Sequence, residues 1–178
     1  MRTDEDGELL IRSETIFAGY YKDEEATREV LMEDGWLRSG DVGSIDDDGF
    51  ITITDRKKDI LVTAGGKNVS PQNLENVLKT APLISQALVV GDRRPYVAAL
   101  ITVDPAVAEG LSPGQGQERV EAIVDGVNAE LSRFEQIKRF RILEREFSAE
   151  EGEVTPTLKL KRRVCAEHFA DEIEELYN

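Results

Sequence analysis

The sequence predicts an α+β chain in two unequal parts, and three observations carry that expectation. Short apolar or β-branched runs bounded by glycines and acids, ELLIR at 8–12 and FITIT at 50–54, have the pattern of strands in a small sheet. At Asp55 the texture breaks into a charged pentad, DRKKD, which marks a boundary. Beyond it, apolar residues recur at helical spacing around 120–131 and 161–176, with short strands between, as in a compact mixed domain. The expected division is residues 1–54, a connecting segment at 55–60, and a second domain at 61–178.

In chain order, KDEEATREVLMEDG (22–35) reads as a helix, with Asp23 able to cap its start and Gly35 its end. DDDG at 46–49 reads as a solvated tight turn feeding the strand at 50–54. The apolar strand ILVT (60–63) leads into the glycine-rich AGGKN (64–68). Ser70 then caps a helix over QNLENVLK, with Pro71 at the first helical position, where a missing N–H costs little. ALVVG and YVAALITV are strands around the turn DRRP, and LSPGQGQ (111–117) reads as a surface loop. Val120, Ile123, Val124, Val127 and Leu131 line one face of a helix, and FRIL (140–143) is a strand. One final helix is expected from about Lys161 to Leu176, with Val164, Phe169, Ile173 and Leu176 inward.

Composition excludes several classes. Net charge is −14, and 15 acids against 5 bases fall in residues 1–50, so the chain offers no broad basic face and nucleic acid is a poor partner. One cysteine, Cys165, cannot form an internal disulfide, and with only His168 nearby there is no zinc ligand set. Cys165 and His168, three apart, read as packing or surface residues, since no third group is evident to orient a nucleophile. The start, MRTDEDGELL, has no basic segment followed by an apolar run, and no stretch has the length of a transmembrane segment. A cytoplasmic location is expected.

Four blocks carry a resemblance: GELLIRSETIFAGYY (7–21), GWLRSGDVG (35–43), DRKKDILVTAGGKNVSP (55–71) and TPTLKLKR (155–162). Any one is weak, but four in this order resemble the adenylate-forming superfamily of acyl-CoA synthetases, luciferases and peptide-synthetase adenylation domains. GDRRPYVAALITVD (91–104) and EQIKRFRILEREFSAEEGEVTPTLKLKR (135–162) look most like long-chain fatty acyl-CoA synthetases. The resemblance implies that residues 1–54 are the β-rich end of a larger N-terminal domain, that 55–60 is a hinge, and that 61–178 is a complete mobile C-terminal domain. It implies a reaction in which ATP and a fatty acid, with Mg2+, give acyl-AMP, after which coenzyme A takes the acyl group. It also implies that the N-terminal domain of the same parent chain is a partner, that peripheral membrane contact comes through the lipid substrate, and that these residues alone are inactive, because nothing here supplies the family's phosphate loop.

By the same resemblance Lys159 is the catalytic lysine, a point charge placed where negative charge gathers during adenylation. Its plain structural reading is one member of a basic face with Lys161, Arg162 and Arg163. Many family members have glycine before this lysine, where this chain has Leu158. Asp41 and Arg56 match the nucleotide-binding residues, and a carboxylate can accept from both hydroxyls of a ribose diol. Their plain readings are a Gly-Asp turn and a surface ion pair with Asp55 or Asp59. Lys58 falls at the hinge position, and Gly65, Gly66 and Lys67 form the loop expected to face coenzyme A, or otherwise only a hairpin turn. A ligase that delivers its acyl group to a carrier protein, and a binding module without catalysis, are the alternatives left open.

Overall fold

A computed structural model describes residues 1–178, which fall into two compact units, Met1–Ile60 and Leu61–Asn178. The first unit is an antiparallel sheet in the order β1 (Arg2–Thr3), β2 (Glu8–Ile11), β3 (Leu37–Ile45), β4 (Ile51–Arg56), with helix α1 (Glu24–Val30) in the β2–β3 connection. Leu9 and Leu10, consecutive in β2, are both buried, so this strand is covered on both faces. A bulge between Val42 and Gly43 brings β3 so close to β4 that a Cβ on Gly43 would lie 2.3 Å from the Thr52 carbonyl oxygen and 3.1 Å from Leu9 Cδ1. The outer strand β4 carries two exposed apolar residues, Ile51 and Ile53, and Phe50 immediately before it is exposed as well. A single 3-10 turn, Lys57–Asp59, ends the unit.

The second unit is built on a three-stranded sheet of β7 (Ile84–Val90), β8 (Val97–Val103) and β9 (Ile137–Ile142), with a two-stranded hairpin of β5 (Leu61–Val62) and β6 (Asn68–Val69) before it. β7 and β8 pair antiparallel and β8 and β9 parallel. The alternation of β8 divides the core. Val97, Ala99 and Ile101 pack with Leu74 and Leu78 of α2 (Pro71–Leu78) and with Val120 and Val124 of α4 (Pro113–Ala129). Ala98 and Leu100 pack with Phe147, Cys165 of α5 (Arg162–His168), and Phe169 and Leu176, which flank α6 (Ala170–Glu175). A strand buried on both faces reads as one continuous apolar run, as VAALITV does. The remaining helix, α3 (Pro105–Ala108), is one turn capped by Asp104.

The α+β class holds, three local expectations are corrected, and one strand is added. α1 begins after Asp23 as expected but ends at Leu31 rather than Gly35, because Leu31 bridges to Leu37 and Gly35 closes a separate turn onto Met32. LSPGQGQ is not a loop beyond Ser112. Ser112 and Gln115 form a reciprocal capping box with Pro113 at the first helical position, so its glycines lie inside the first turns of α4. The last helix is broken at Phe169 (φ −109°, ψ 31°), whose ring packs edge-on against Phe147 with centroids 5.4 Å apart, and Cys165 rather than Val164 is buried there. Strand β3 is a nine-residue element that its glycines and polar residues hide from periodicity.

Replacing Gly43 with alanine is expected to destabilise the first unit by about 1–3 kcal/mol, because the added methyl meets rigid backbone. Denaturant unfolding followed by amide exchange checks this: β2–β4 lose protection while β7–β9 keep it, and unchanged exchange in β3 would refute the close approach.

Candidate functional site

In the first unit the two residues expected to bind a nucleotide stand opposite each other. Asp41 on β3 is in register with Arg56 on β4, and Arg56 Nε lies 2.8 Å from Asp41 Oδ1. Arg56 is therefore ion-paired as its plain reading required, but across the ladder with Asp41, while its own N–H donates to the Asp55 carboxylate at 2.7 Å. With Arg56 55% and Asp41 26% exposed, the pair contributes under about 1 kcal/mol, so either group can exchange its partner for a ligand. Together they offer an acceptor and a charged donor side by side, a set that suits a diol next to a phosphate.

What holds this edge in place is Glu8, only 2% exposed, which residue patterns did not single out. Its carboxylate accepts from Gly40 N–H at 3.0 Å, Arg38 at 3.1 Å and Lys57 Nζ at 2.9 Å. Burial opposes its ionisation, yet these donors outweigh it and hold the carboxyl below the usual range. Gly40, at φ +72°, sits inside β3 at the irregularity in its pairing with β2 that precedes Asp41. Lys57 also meets Asp6 at 2.6 Å, and these two acids raise its pKa. Asp4, Asp6 and Glu8 bring carboxylate oxygens within 4.8 Å of one another, but each is already ion-paired with Lys57 or Arg38, so a metal ion would have to displace those side chains. Lys58, in the adjoining 3-10 turn, is exposed.

In the second unit the remaining candidates lie on two hairpins. Gly65, Gly66 and Lys67 form the exposed tip between β5 and β6, closed by Thr63 N–H to Lys67 O at 3.0 Å and Gly66 N–H to Thr63 O at 2.8 Å. It is a hairpin turn, and a Cβ on Gly66 would meet nothing within 4 Å, so a ligand can approach its backbone. Lys159 lies on the second hairpin, residues 153–161. Lys161 N–H donates to Glu153 O at 2.8 Å, Val154 bridges Leu160, and Thr155 N–H donates to Lys159 O at 2.8 Å. Leu158 N–H closes the turn onto Thr155 O, with Leu158 itself at φ +60°. A residue of that conformation after a tight turn is where glycine is favoured, so Leu158 adopts the geometry that glycine would provide. Lys159 is exposed.

The turn of the second hairpin and the base of the first attach near opposite ends of β7, although the outgoing arm of the second is tied nearer the first, Arg162 donating to Val89 O at 3.2 Å. Gln86 Nε2 donates to Leu158 O at 3.4 Å, whereas Ala64 N–H donates to Arg94 O at 2.9 Å and Arg93 N–H to Val62 O at 2.8 Å, beyond the strand's other end. At about 3.3 Å per residue, the five residues from Gln86 to Gly91 separate the attachments by roughly 16 Å.

Two further buried carboxylates were missed. Glu75 lies on the same helical face as Pro71, Leu74 and Leu78, and an acid in that apolar stripe is a signal the sequence does contain. It accepts from Val89 N–H at 2.8 Å and from Arg162 at 2.6 Å. Burial pushes its carboxyl up, opposed by the Arg162 charge. Glu153, wholly buried, binds Arg145 through both oxygens and meets His168 Nδ1 at 2.9 Å, a constellation with no sequence signal. Cys165 is buried, and that burial pushes its thiol up to about 11, while His168 faces Glu153, which fits the packing reading.

A family model described as AMP-binding enzyme C-terminal domain matches residues 58–178, and the chain belongs to that family. It is 46% identical to the long-chain-fatty-acid-CoA ligase FadD15 of Mycobacterium tuberculosis, over all of this chain and 32% of that protein. It is 37% identical to the long-chain-fatty-acid-CoA ligase ACSBG2 of Gallus gallus, over 96% of this chain and 27% of that one. The adenylation domain of a carboxylate reductase from Mycobacterium chelonae superposes with TM-score 0.85 at 34% identity, covering 96% of this chain and 27% of that one. The chain thus spans about a third of the length of the curated relatives it matches. No helix is long and apolar enough to cross a membrane.

Two outcomes follow from the Lys159 hairpin. The Arg145 fork, first among its partners, holds Glu153 down to about 2 against an ordinary 4.5, so its contribution to stability is complete above about pH 4.5 and lost as pH falls towards 2. A melting-temperature profile across that window should be flatter for Glu153→Gln than for the wild type. Leu158→Gly should stabilise the second unit by about 0.5 kcal/mol, left-handed strain relieved less glycine's added freedom when unfolded, as read by denaturant midpoint.

Proposed function

We propose that the chain works as the C-terminal portion of a long-chain fatty acid CoA ligase. In this reading the enzyme forms acyl-AMP from ATP and a fatty acid and then transfers the acyl group to coenzyme A. The observation that carries the reading is the pair of hairpins near opposite ends of β7. One presents an exposed cation and the other an exposed glycine backbone, two chemically different tools on one body. The naming of relatives at 46% and 37% identity as CoA ligases supports coenzyme A as acceptor over a carrier protein.

In the first half-reaction a fatty acid carboxylate oxygen attacks the α-phosphorus of ATP, and the bond to pyrophosphate breaks. Every group involved is anionic, so the Lys159 ammonium acts by offsetting charge that grows on the α-phosphate and carboxylate oxygens. Asp41 and Arg56 hold the ribose, each giving up a weak mutual ion pair to do so. Mg2+ arrives with the ATP phosphates, and no residue of this chain is assigned to it. In the second half-reaction the coenzyme A sulfur attacks the acyl carbon and AMP leaves, with Gly65, Gly66 and Lys67 alongside the pantetheine arm. Segment 55–60 is the hinge, and Lys58 is the residue whose backbone turns to exchange one hairpin for the other. The N-terminal portion of the same protein supplies the phosphate loop and acyl tunnel, so these 178 residues alone are inactive.

In the full-length protein, Lys159→Ala should lower acyl-AMP formation about 10²–10³-fold, the scale for removing one preorganised charge partner. Transfer from supplied acyl-AMP to coenzyme A should change no more than a few-fold. Pyrophosphate release and thioester formation, assayed separately, decide it, and equal losses in both would refute the role.

A further inference from the structure

Lys159 ends in a flexible, exposed side chain, so only its backbone can aim it, and that backbone belongs to a short hairpin with an unfavourable Leu158 conformation at its turn. Its internal ties are the two hydrogen bonds that form the Val154–Leu160 bridge, the Leu158 turn bond and Lys159 N–H to Thr155 Oγ1 at 3.0 Å, too few to fix such an element's direction on their own. Apart from one exposed 3.4 Å contact between Gln86 Nε2 and Leu158 O, its direction is set where its arms enter the fold. The second arm runs into Arg162, which is clamped to Glu75 at 2.6 Å and to Val89 O at 3.2 Å. The first arm begins at Glu153.

Glu153 gathers more ties than any other side chain of the hairpin. Arg145 Nη1 and Nη2 meet its two oxygens at 2.7 and 2.6 Å, Ser148 N–H donates at 2.8 Å, and His168 Nδ1 lies at 2.9 Å. Its backbone takes part as well: Glu153 N–H donates to Ser148 O at 2.9 Å, and its carbonyl accepts from Lys161 N–H and from the Cys165 thiol at 3.3 Å. One buried carboxylate thereby fastens the hairpin to the segment after β9 and to α5 at once. Apolar packing could fill the same space with equal stability, but it would not fix an orientation as a bidentate fork does.

We propose that Glu153, held by Arg145, is the positioning residue for Lys159: it fixes the base of the hairpin so that the lysine reaches the reacting phosphate, and it touches no substrate itself. The inference rests on the reading of Lys159 given above. Displacing a reacting group by about 1 Å can lower a rate 10²-fold, so loosening this anchor should act on adenylation rather than on thioester formation.

The test uses Glu153→Gln and Arg145→Met in the full-length protein, beside Lys159→Ala. Arg145 is half-exposed and its guanidinium lies 4.7 Å over the Phe169 ring, so Arg145→Met removes both the fork and that ring contact, and the melting temperature of each variant beside wild type establishes that the folded state is the one assayed. The expected result is a 10–100-fold fall in kcat for acyl-AMP formation, an ATP KM within about threefold, and coenzyme A transfer within about twofold. Adenylation within twofold of wild type in Arg145→Met, or parallel loss of both half-reactions, overturns the proposal. A second measurement separates it from the functional reading. In the 178-residue chain, amides 154–160 should exchange at least about tenfold faster in Arg145→Met, with β7 and β8 unchanged. Should Lys159→Ala leave adenylation intact, the functional reading fails, while unchanged exchange in the hairpin overturns the anchor itself.

Discussion

The burial of β8 on both faces is the constraint on which the second unit depends. Val97–Ile101 admit no solvent on either side, so helices must cover the sheet twice: α2 and α4 on one face, α5 and α6 on the other. Because β8 takes both neighbours of the three-stranded sheet, β7 is left as an edge, and an edge strand has spare amides and carbonyls. Val89 uses them to bind Glu75 and Arg162, and side-chain and backbone contacts at either end of the strand receive the two hairpins. The layout of the candidate site is thus a consequence of how the core closes.

Much of this was legible in the sequence wherever one residue's pattern decided the matter. VAALITV announces a buried strand, Ser70-Pro71 a helix start, and the Val120–Leu131 spacing the face of α4. Errors arose where a local cue had two readings. Ser-Pro-Gly-Gln-Gly looks like a loop until the Ser112–Gln115 box is seen, and Gly35 looks like a helix end although it closes the next turn. The candidate residues were nameable because they lie in short motifs that a family resemblance reads directly. The carboxylates that support them were not, since Glu8, Glu75 and Glu153 acquire their meaning only from burial and from partners 5 to 87 positions away that no spacing rule links to them.

Those three acids share one physical design. Each is buried and each faces an arginine, with a backbone N–H as a further donor, so the anionic form is satisfied without water. Each also adjoins a functional candidate: Glu8 the Gly40–Asp41 segment of β3, Glu75 and Glu153 the two arms beside Lys159. An acidic chain thereby commits three of its arginines, Arg38, Arg145 and Arg162, to buried carboxylates, and the net charge of −14 conceals a local balance at those points.

The strand β4 has a different significance for anyone handling this polypeptide. Phe50, Ile51 and Ile53 stand in water along a ladder whose outer rail is unpaired, which combines oily side chains and open backbone valences in one ribbon. Such ribbons recruit copies of themselves as concentration rises. The exposed acidic run Asp46–Asp48 immediately before it sets like charge beside that ribbon, which opposes pairing between copies, and salt weakens such repulsion.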